Sequence, residues 1–383
     1  MVSATALFGE ITAGGVQELL SDSPAGPPQP PDETFQIQSL GEVSRTFALT
    51  IPQLPPDLSR AVANGYLLCR IADTIEDDPG VPHEQKVVFL EAFLAELERG
   101  GDGAPLAAAL GGRLSRASLP AEHRLIRELP RVLRITQSLA GAQRRALIRC
   151  VAIMGRGMAR FSRDGTGRGL ETLEDLERYC YHVAGVVGEM LTDLFCHHSG
   201  VIARRRERLK ALAASFGQGL QMANILKDIW ADLERGCCWL PRRLFAEAGA
   251  NLDGLPEVRS TPEFSRALHQ LLAVAHGSLR DALAYVQAIP RGETGIRRFL
   301  MWAVGLAALT LSNIAANPSF TEGTQVKVSR ATVRRVIGVT NLAIRSNAVL
   351  GLLFRRWTRR LPDPVFTTRF VAGLSPDGWA TGP

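Results

Sequence analysis

Asp73 and Asp77 lie one helical turn apart in the segment Tyr66-Leu-Leu-Cys-Arg70-Ile-Ala-Asp73-Thr-Ile-Glu76-Asp77-Asp78. On an α-helix, steps of four, three and four bring Tyr66, Arg70, Asp73 and Asp77 onto one face with Glu76 beside them, while Leu67, Leu68, Ile71, Ala72 and Ile75 read as core. Carboxylates at this spacing repel, and burying them unpaired is costly, so something cationic is expected among them. Taken alone, the pattern describes a solvated face more often than a site. A second stripe changes that weighing. In Gln221-Met-Ala-Asn224-Ile-Leu-Lys227-Asp228-Ile-Trp-Ala-Asp232, steps of three, four and four align Gln221, Asn224, Asp228 and Asp232. Helical proteins build metal sites from carboxylates on facing helices. Oxygen donors without clustered His or Cys favour a hard cation, above all Mg²⁺, which usually arrives with substrate phosphates. The expected chemistry is therefore a Mg²⁺-held diphosphate, with Arg45, Arg70 and Lys227 neutralising charge as that group departs.

The elements that must position these stripes are helices. Apolar residues recur at three and four, predicting helices at 57–77, 83–99, 121–138, 142–162, 172–197, 205–233, 262–289, 292–316 and 329–356. The fold class is all-α. Residues 23–33 contain five prolines, so 1–33 read as a mobile arm, 34–357 as one large helical domain and 358–383 as a C-terminal tail. The run Phe299–Thr321 has no charge and approaches spanning length. A helix buried on all sides by its neighbours is the preferred reading, with no transmembrane anchor. The basic end Arg355-Arg356-Trp357-Thr358-Arg359-Arg360 follows the apolar stretch Val349–Phe354 and reads as a solvated face before a membrane contact.

At 383 residues, 46% hydrophobic and 21% charged, the chain is neither disordered nor collagenous. Its net charge of +6 is uneven: six acids and no Lys or Arg precede Arg45, leaving 44 basic against 32 acidic residues in the rest. That start does not suit a secretory or transit peptide, and a cytoplasmic, possibly peripheral-membrane location is expected. The six cysteines form no C-x-x-C pair and read as reduced packing residues. Cys196-His197-His198 has no second cluster to complete a zinc site. Arg204-Arg205-Arg206 lacks interleaved aromatics, so no nucleic-acid partner is expected.

Three segments, Arg70-Ile-Ala-Asp73-Thr-Ile-Glu76-Asp77-Asp78, Tyr179-Cys-Tyr-His-Val-Ala-Gly185-Val-Val-Gly188 and Asn224-Ile-Leu-Lys-Asp228-Ile-Trp-Ala-Asp232, resemble the signatures of the squalene and phytoene synthase family. Ser44-Arg45-Thr46-Phe47 resembles its N-terminal Ser-Arg-Ser-Phe element, and the likeness runs from about Phe35 to Asn347 in the family's order. The resemblance implies the isoprenoid synthase fold, a single helical bundle around a central apolar cavity with both acidic motifs at its mouth. It implies head-to-head joining of two prenyl diphosphates, most like a bacterial squalene synthase. That enzyme condenses two farnesyl diphosphates to presqualene diphosphate and reduces it with NADPH.

On this resemblance Asp73, Glu76, Asp77, Asn224, Asp228 and Asp232 hold Mg²⁺, while Ser44, Arg45, Arg70 and Gln221 lie at the diphosphate end. Thr46 shares that N-terminal element. Tyr66 and Tyr181 are candidates for orienting the leaving group or accepting a proton. Phe47, Ala184 and Gly188 would line the prenyl tunnel, although the two small residues equally suit close helix packing. Phe299, Lys327 and Arg330 are the NADPH candidates. The chain departs from the squalene synthase pattern at Ala303, Ser329 and His182, which bears on the reductive step and the base. Phytoene or dehydrosqualene synthesis without reductant is the alternative, and a non-enzymatic assembly factor a remoter one. Squalene would leave into lipid, so transient membrane contact is expected.

Overall fold

The computed structural model describes residues 31–163, 166–255 and 257–367, and the proposed arm before residue 31 lies outside them, as does the tail beyond 367. Numbering only helices of eight residues or more, the first half of the chain runs α1 (Pro31–Val43), α2 (Pro56–Asp77), α3 (His83–Arg99), α4 (Ala104–Gly111), α5 (Pro120–Arg127), α6 (Leu129–Ser138) and α7 (Gly141–Arg163). The second half runs α8 (Leu173–Cys180), α9 (Val186–His198), α10 (Arg206–Glu234), α11 (Pro262–Ala288), α12 (Thr294–Ala316), α13 (Arg330–Ala343) and α14 (Asn347–Trp357). A short helix, Arg45–Thr50, precedes α2, and another, Gly323–Val326, precedes α13. Among the described residues there is no sheet, only a bridge between Leu170 and Pro241.

The helix stops follow local chemistry, and three expected helices are divided. The stretch 121–138 breaks at Glu128, because Pro130 has no N–H to continue α5 and its ring collides with the preceding turn. The stretch 329–356 breaks after Ala343, where Ser346 caps α14 by accepting the Val349 N–H. The stretch 172–197 is interrupted by a π-helical turn, Tyr181–Gly185, between α8 and α9. Such a turn inserts one residue into the helical repeat and rotates every side chain beyond it, and it occurs most often at functional sites. Helix α1 begins inside the proline-rich stretch, at Pro31, three residues before the expected start of the helical domain at 34. The tail is anchored as far as it is described: the Val365 N–H donates to Ala273 O at 3.0 Å on α11.

Helix α10 is the hub, packed against α9, the π turn, α11 and α12. Helix α2 packs instead on α7 and α9, so the two acidic helices share α9 as a neighbour. Helix α12 is enclosed by α10, α11, α13 and α14. It is long and apolar enough to cross a membrane, but 78% of its most apolar window is buried within the protein, as a surrounded core helix requires. Its Arg297 is fully buried and ties α11 to the α13–α14 turn through backbone carbonyls.

Candidate functional site

Arg70, at the middle of the first acidic stripe, is buried and ion-paired to Glu122 of α5. Burial pulls its pKa down, but Tyr66, Asp73, Glu122 and Asp77 together hold it above the ordinary guanidinium value. Asp73 lies one turn on. Its Oδ1 is sealed from solvent and has no hydrogen-bond partner. Burial, reinforced by Asp77 and Glu76 and opposed by Arg70, pushes its pKa up to about 8. Asp78, the last acid of the stripe, turns away: its carboxylate accepts from the Gly80 N–H at 2.7 Å and the Ser118 hydroxyl at 2.6 Å, closing the turn after α2.

On α10 the second stripe divides. Asp232 is buried and paired with Arg235, its Oδ2 lacks a partner, and burial pushes its pKa up to about 6. Asp228 instead accepts from Lys227 Nζ through both oxygens, at 2.5 and 2.6 Å. This pair edges a pocket of about 290 Å³ whose other walls include Thr321, Gly323, Thr324 and Lys327. A methyl group added to Gly323 would come within 3.0 Å of Lys227 O and 3.1 Å of Asp228 Oδ1, so the short helix Gly323–Val326 passes very close to the second stripe.

The ends of the two stripes meet around Tyr179 and Arg235. Burial would lower the Arg235 pKa, yet Asp232 and, from the other helix, Asp77 raise it. Tyr179 stacks on Trp239 with ring centroids 3.9 Å apart and an interplanar angle of 10°. Its hydroxyl is buried without a partner, and burial, then Glu76 and Asp77, and also Asp232, push its pKa far up. A phenol that stays protonated beside carboxylates from both stripes keeps a proton to donate. The sequence reading passed over Tyr179, Arg235 and Glu122. The Asp232–Arg235 spacing of three was a legible signal; Glu122 had none.

The remaining candidates fall into three groups. Near the start of α2, Ser44 caps the helix Arg45–Thr50 by accepting the Phe47 N–H at 3.1 Å, the Tyr66 hydroxyl donates to Val43 O at 3.3 Å, and the Phe47 and Tyr66 rings lie 4.8 Å apart. The side chains of Arg45 and Thr46 lie outside the described residues. Around the π turn, the Tyr181 hydroxyl donates to buried Glu189 at 3.0 Å, and Arg149 pairs with the same carboxylate at 2.9 Å. Tyr181 therefore answers to Glu189, and His182 packs against Gly157 of α7. Among the NADPH candidates, Lys327 lines the pocket beside Asp228, Phe299 is buried on α12, and Arg330 sits exposed at the start of α13.

Gly188 lies against α10: a Cβ there would overlap the carbonyl of Ala213, just as one on Gly217 would overlap that of Ala184. Close helix packing accounts for both. Gly188→Ala is expected to destabilise the fold by about 1–3 kcal/mol through forced separation of α9 and α10, seen as a lower urea midpoint. An unchanged midpoint would show that the helices part freely.

The unsatisfied buried atoms test whether Mg²⁺ suits the site. Asp73 Oδ1, Asn224 Oδ1, Asp232 Oδ2, Gln221 Nε2 and the Tyr179 hydroxyl all lack partners. Three of these are oxygen acceptors of the kind a hard cation takes, and two are donors suited to phosphate oxygens. Among the described residues no three His, Cys, Asp or Glu side chains converge as a self-sufficient metal cage.

Known structures define the class. A structure of TcSQS in complex with E5700 superposes with a TM-score of 0.68 at 23% identity, covering 86% of this chain and 98% of that one. A dehydrosqualene synthase in complex with ligand gives 0.61 at 20%, covering 82% and 97%. The fold is thus the all-α isoprenoid synthase fold. A family model described as squalene/phytoene synthase matches residues 40–332, and the chain belongs to that family. Squalene synthase ERG9 of Candida albicans is 30% identical over 307 residues, 78% of this chain and 65% of the yeast protein. A squalene synthase of Schizosaccharomyces pombe is 28% identical over 305 residues, 78% of this chain and 63% of that relative. The match therefore spans slightly less than two thirds of either relative.

Proposed function

We propose that the chain is a squalene synthase, a prenyltransferase that condenses two farnesyl diphosphates head to head to presqualene diphosphate, with Mg²⁺, and reduces that product with NADPH. What supports the reading is that carboxylates of both acidic helices, Glu76 and Asp77 on one and Asp232 on the other, act on Tyr179, while each helix also keeps a buried oxygen without a partner, on Asp73, Asn224 and Asp232. Bound Mg²⁺ would supply charge neutralisation for the departing diphosphate, held by Asp73, Glu76, Asp77, Asn224 and Asp232, with Asp228 able to join them only on release from Lys227. Arg70, fixed by Glu122, and Arg235 add positive charge that needs no rearrangement when the leaving group develops its own. Tyr179 offers a proton donor at the same place, and Gln221 an amide N–H. Ser44, Arg45, Thr46 and Phe47 border the substrate's diphosphate end, and Phe47 with Tyr66 begins its apolar path.

NADPH would supply hydride. The proposed reductant site is the pocket beside Asp228, where Lys227, Lys327 and the Thr321 and Thr324 hydroxyls stand together with Asp228, Glu234 and Glu322; Lys227 is paired with Asp228, so Lys327 is the cation proposed to meet a phosphate. Phe299 and Arg330 complete the proposed set. Purified protein with farnesyl diphosphate and Mg²⁺, with and without NADPH, tests the reading by mass spectrometry of products. Squalene is expected only in the tube with NADPH. Lys327→Ala is expected to lower squalene about 10-fold or more while presqualene diphosphate accumulates, since it removes one charge-assisted contact to the reductant. Equal loss of both products would place Lys327 in the first step.

One observation favours non-reductive synthesis. The Ser329 hydroxyl, where the squalene synthase pattern has Arg, accepts the Thr332 N–H and caps α13, so it offers no charge to a dinucleotide. Dehydrosqualene in both tubes, or turnover of geranylgeranyl diphosphate alone, would assign the chain to that branch.

A further inference from the structure

Residues 323–362 contain nine Lys and Arg and not one Asp or Glu, so the rest of the chain, with +6 in total, is net −3. Six of the nine, Arg330, Arg334, Arg335, Arg345, Arg355 and Arg356, lie on one hairpin, α13 and α14, mounted over α12, and Arg359 and Arg360 follow it directly. Val333, Val336, Leu350, Phe354 and Trp357 are its buried face, and Gly305 of α12 lets the Trp357 ring come close. The outer face is unusual in two respects. Leu342 is 91% exposed, Leu352 56% and Val349 42%, all at or near the turn between the two helices. Around them Arg334, Arg335, Arg345, Arg355, Arg356 and Arg359 are exposed, and none has an ion-pair partner among the described residues. Unpaired arginines occur elsewhere too, and paired ones as well, such as Arg124 with Glu42, Arg206 with Asp193 and Arg243 with Glu171; what sets this face apart is six unpaired arginines beside three exposed aliphatic side chains with no acid among them.

Helical spacing puts the two kinds of residue together. On α13 Arg335, Gly338 and Leu342 step by three and four, on α14 Val349, Leu352 and Arg356 step by three and four, and Arg345 lies in the turn between the two helices. Unpaired arginines flanking exposed aliphatic side chains complement a surface that is anionic outside and apolar beneath.

We propose that the α13–α14 face docks the protein on anionic lipid bilayers, with Leu342, Val349 and Leu352 entering the headgroup boundary and the arginines meeting lipid phosphates. The hairpin's rigid attachment to α12 means that docking needs no unfolding. This surface stands independently of the reaction proposed above. A nucleic acid would also meet the arginines, but it would leave the three aliphatic side chains without use.

Flotation of the full chain with vesicles of phosphatidylcholine, alone or containing about 30% phosphatidylglycerol, tests the proposal, anionic vesicles being the composition that recruits basic interfacial segments. Binding is expected only to the anionic vesicles, falling steeply between about 50 and 500 mM salt as screening shortens the reach of the charges. Each arginine contributes about fivefold to partitioning, so R355E/R356E should weaken it by about 25-fold or more. L342S/L352S should weaken it at both salt concentrations, because apolar insertion is not screened. Vesicle-bound protein should show slowed amide exchange at 342–356. Equal binding to neutral vesicles, protection elsewhere in the chain, or tighter binding to a duplex oligonucleotide indifferent to the leucines would each overturn it. The wild-type comparison of the two vesicle types decides even if a variant fails to fold.

Discussion

Asp73→Asn is expected to reduce presqualene diphosphate formation by about 10³-fold while leaving the helical circular dichroism signal intact and raising the melting temperature of the metal-free protein. The change removes one charge and almost no volume. The activity loss follows because a carboxylate proposed to hold Mg²⁺ on the diphosphate cannot be replaced by a neutral amide, and removing one preorganised electrostatic contact typically has this order of effect. The gain in stability has a separate cause. With its pKa pushed from 3.8 up to about 8 by burial, then by Asp77 and Glu76, the Asp73 carboxyl binds a proton more tightly in the folded chain than in the unfolded one. Stability from this group is complete below pH 3.8 and is lost as pH rises towards about 8. Asp232, raised to about 6, acts in the same direction over a narrower window. The wild-type melting temperature without metal should therefore fall between pH 5 and 8 more than that of Asp73→Asn, and Mg²⁺ with diphosphate should reduce the wild-type fall. Full activity in the variant, or identical pH profiles, would remove Asp73 from the site.

The acidic stripes were legible because helical spacing of polar residues survives in any straight helix, and both α2 and α10 are regular over the motifs. The limits of that reading are physical. Tyr181 was the tyrosine chosen from the middle motif, but the π turn starting there changes the repeat, and its hydroxyl reaches Glu189 eight residues on. Tyr179, in the last turn of regular α8, faces the carboxylates instead. A turn of this kind is a tertiary result: α7, α9 and α10 all press on it, and no residue type announces it. Glu122 illustrates a second limit, since its pairing with Arg70 depends on α5 crossing α2, which spacing along one helix cannot reveal. Gly188 suits tunnel and packing alike in the sequence, and the nearness of Ala213 O that shows the packing is a tertiary fact that spacing does not carry. The uncharged run in α12 was read correctly as buried because a helix without a polar face has few other places in a bundle.

Arg297→Met is expected to destabilise the protein by about 3 kcal/mol or more, since it leaves several buried acceptors unsatisfied at once. The Arg297 side chain is wholly inaccessible, and its nitrogens donate to Ile344 O at 2.7 Å, Val286 O at 3.1 Å, Ile289 O at 2.7 Å and Asn347 Oδ1 at 2.7 Å. Burial, with Arg291 and Arg205 nearby, lowers its pKa to about 10, so it remains charged at neutral pH. The carbonyls that hold it belong to the C-terminal ends of α11 and α13, where helix dipoles are negative and favour a cation. One guanidinium therefore does for two helix ends what separate caps do elsewhere, and it fixes where the α13–α14 hairpin leaves the body. Met matches its length but donates to none of the four, and Lys has too few donors in the wrong geometry. A loss of this size should lower the melting temperature by about 5–10 °C. It should also speed amide exchange in α13 and α14 ahead of α2, because the bonds lost are those that seat the hairpin. A melting temperature within about 1 °C of wild type, small against the expected shift, would mean that water replaces the guanidinium at these carbonyls and that the hairpin is held by α12 alone.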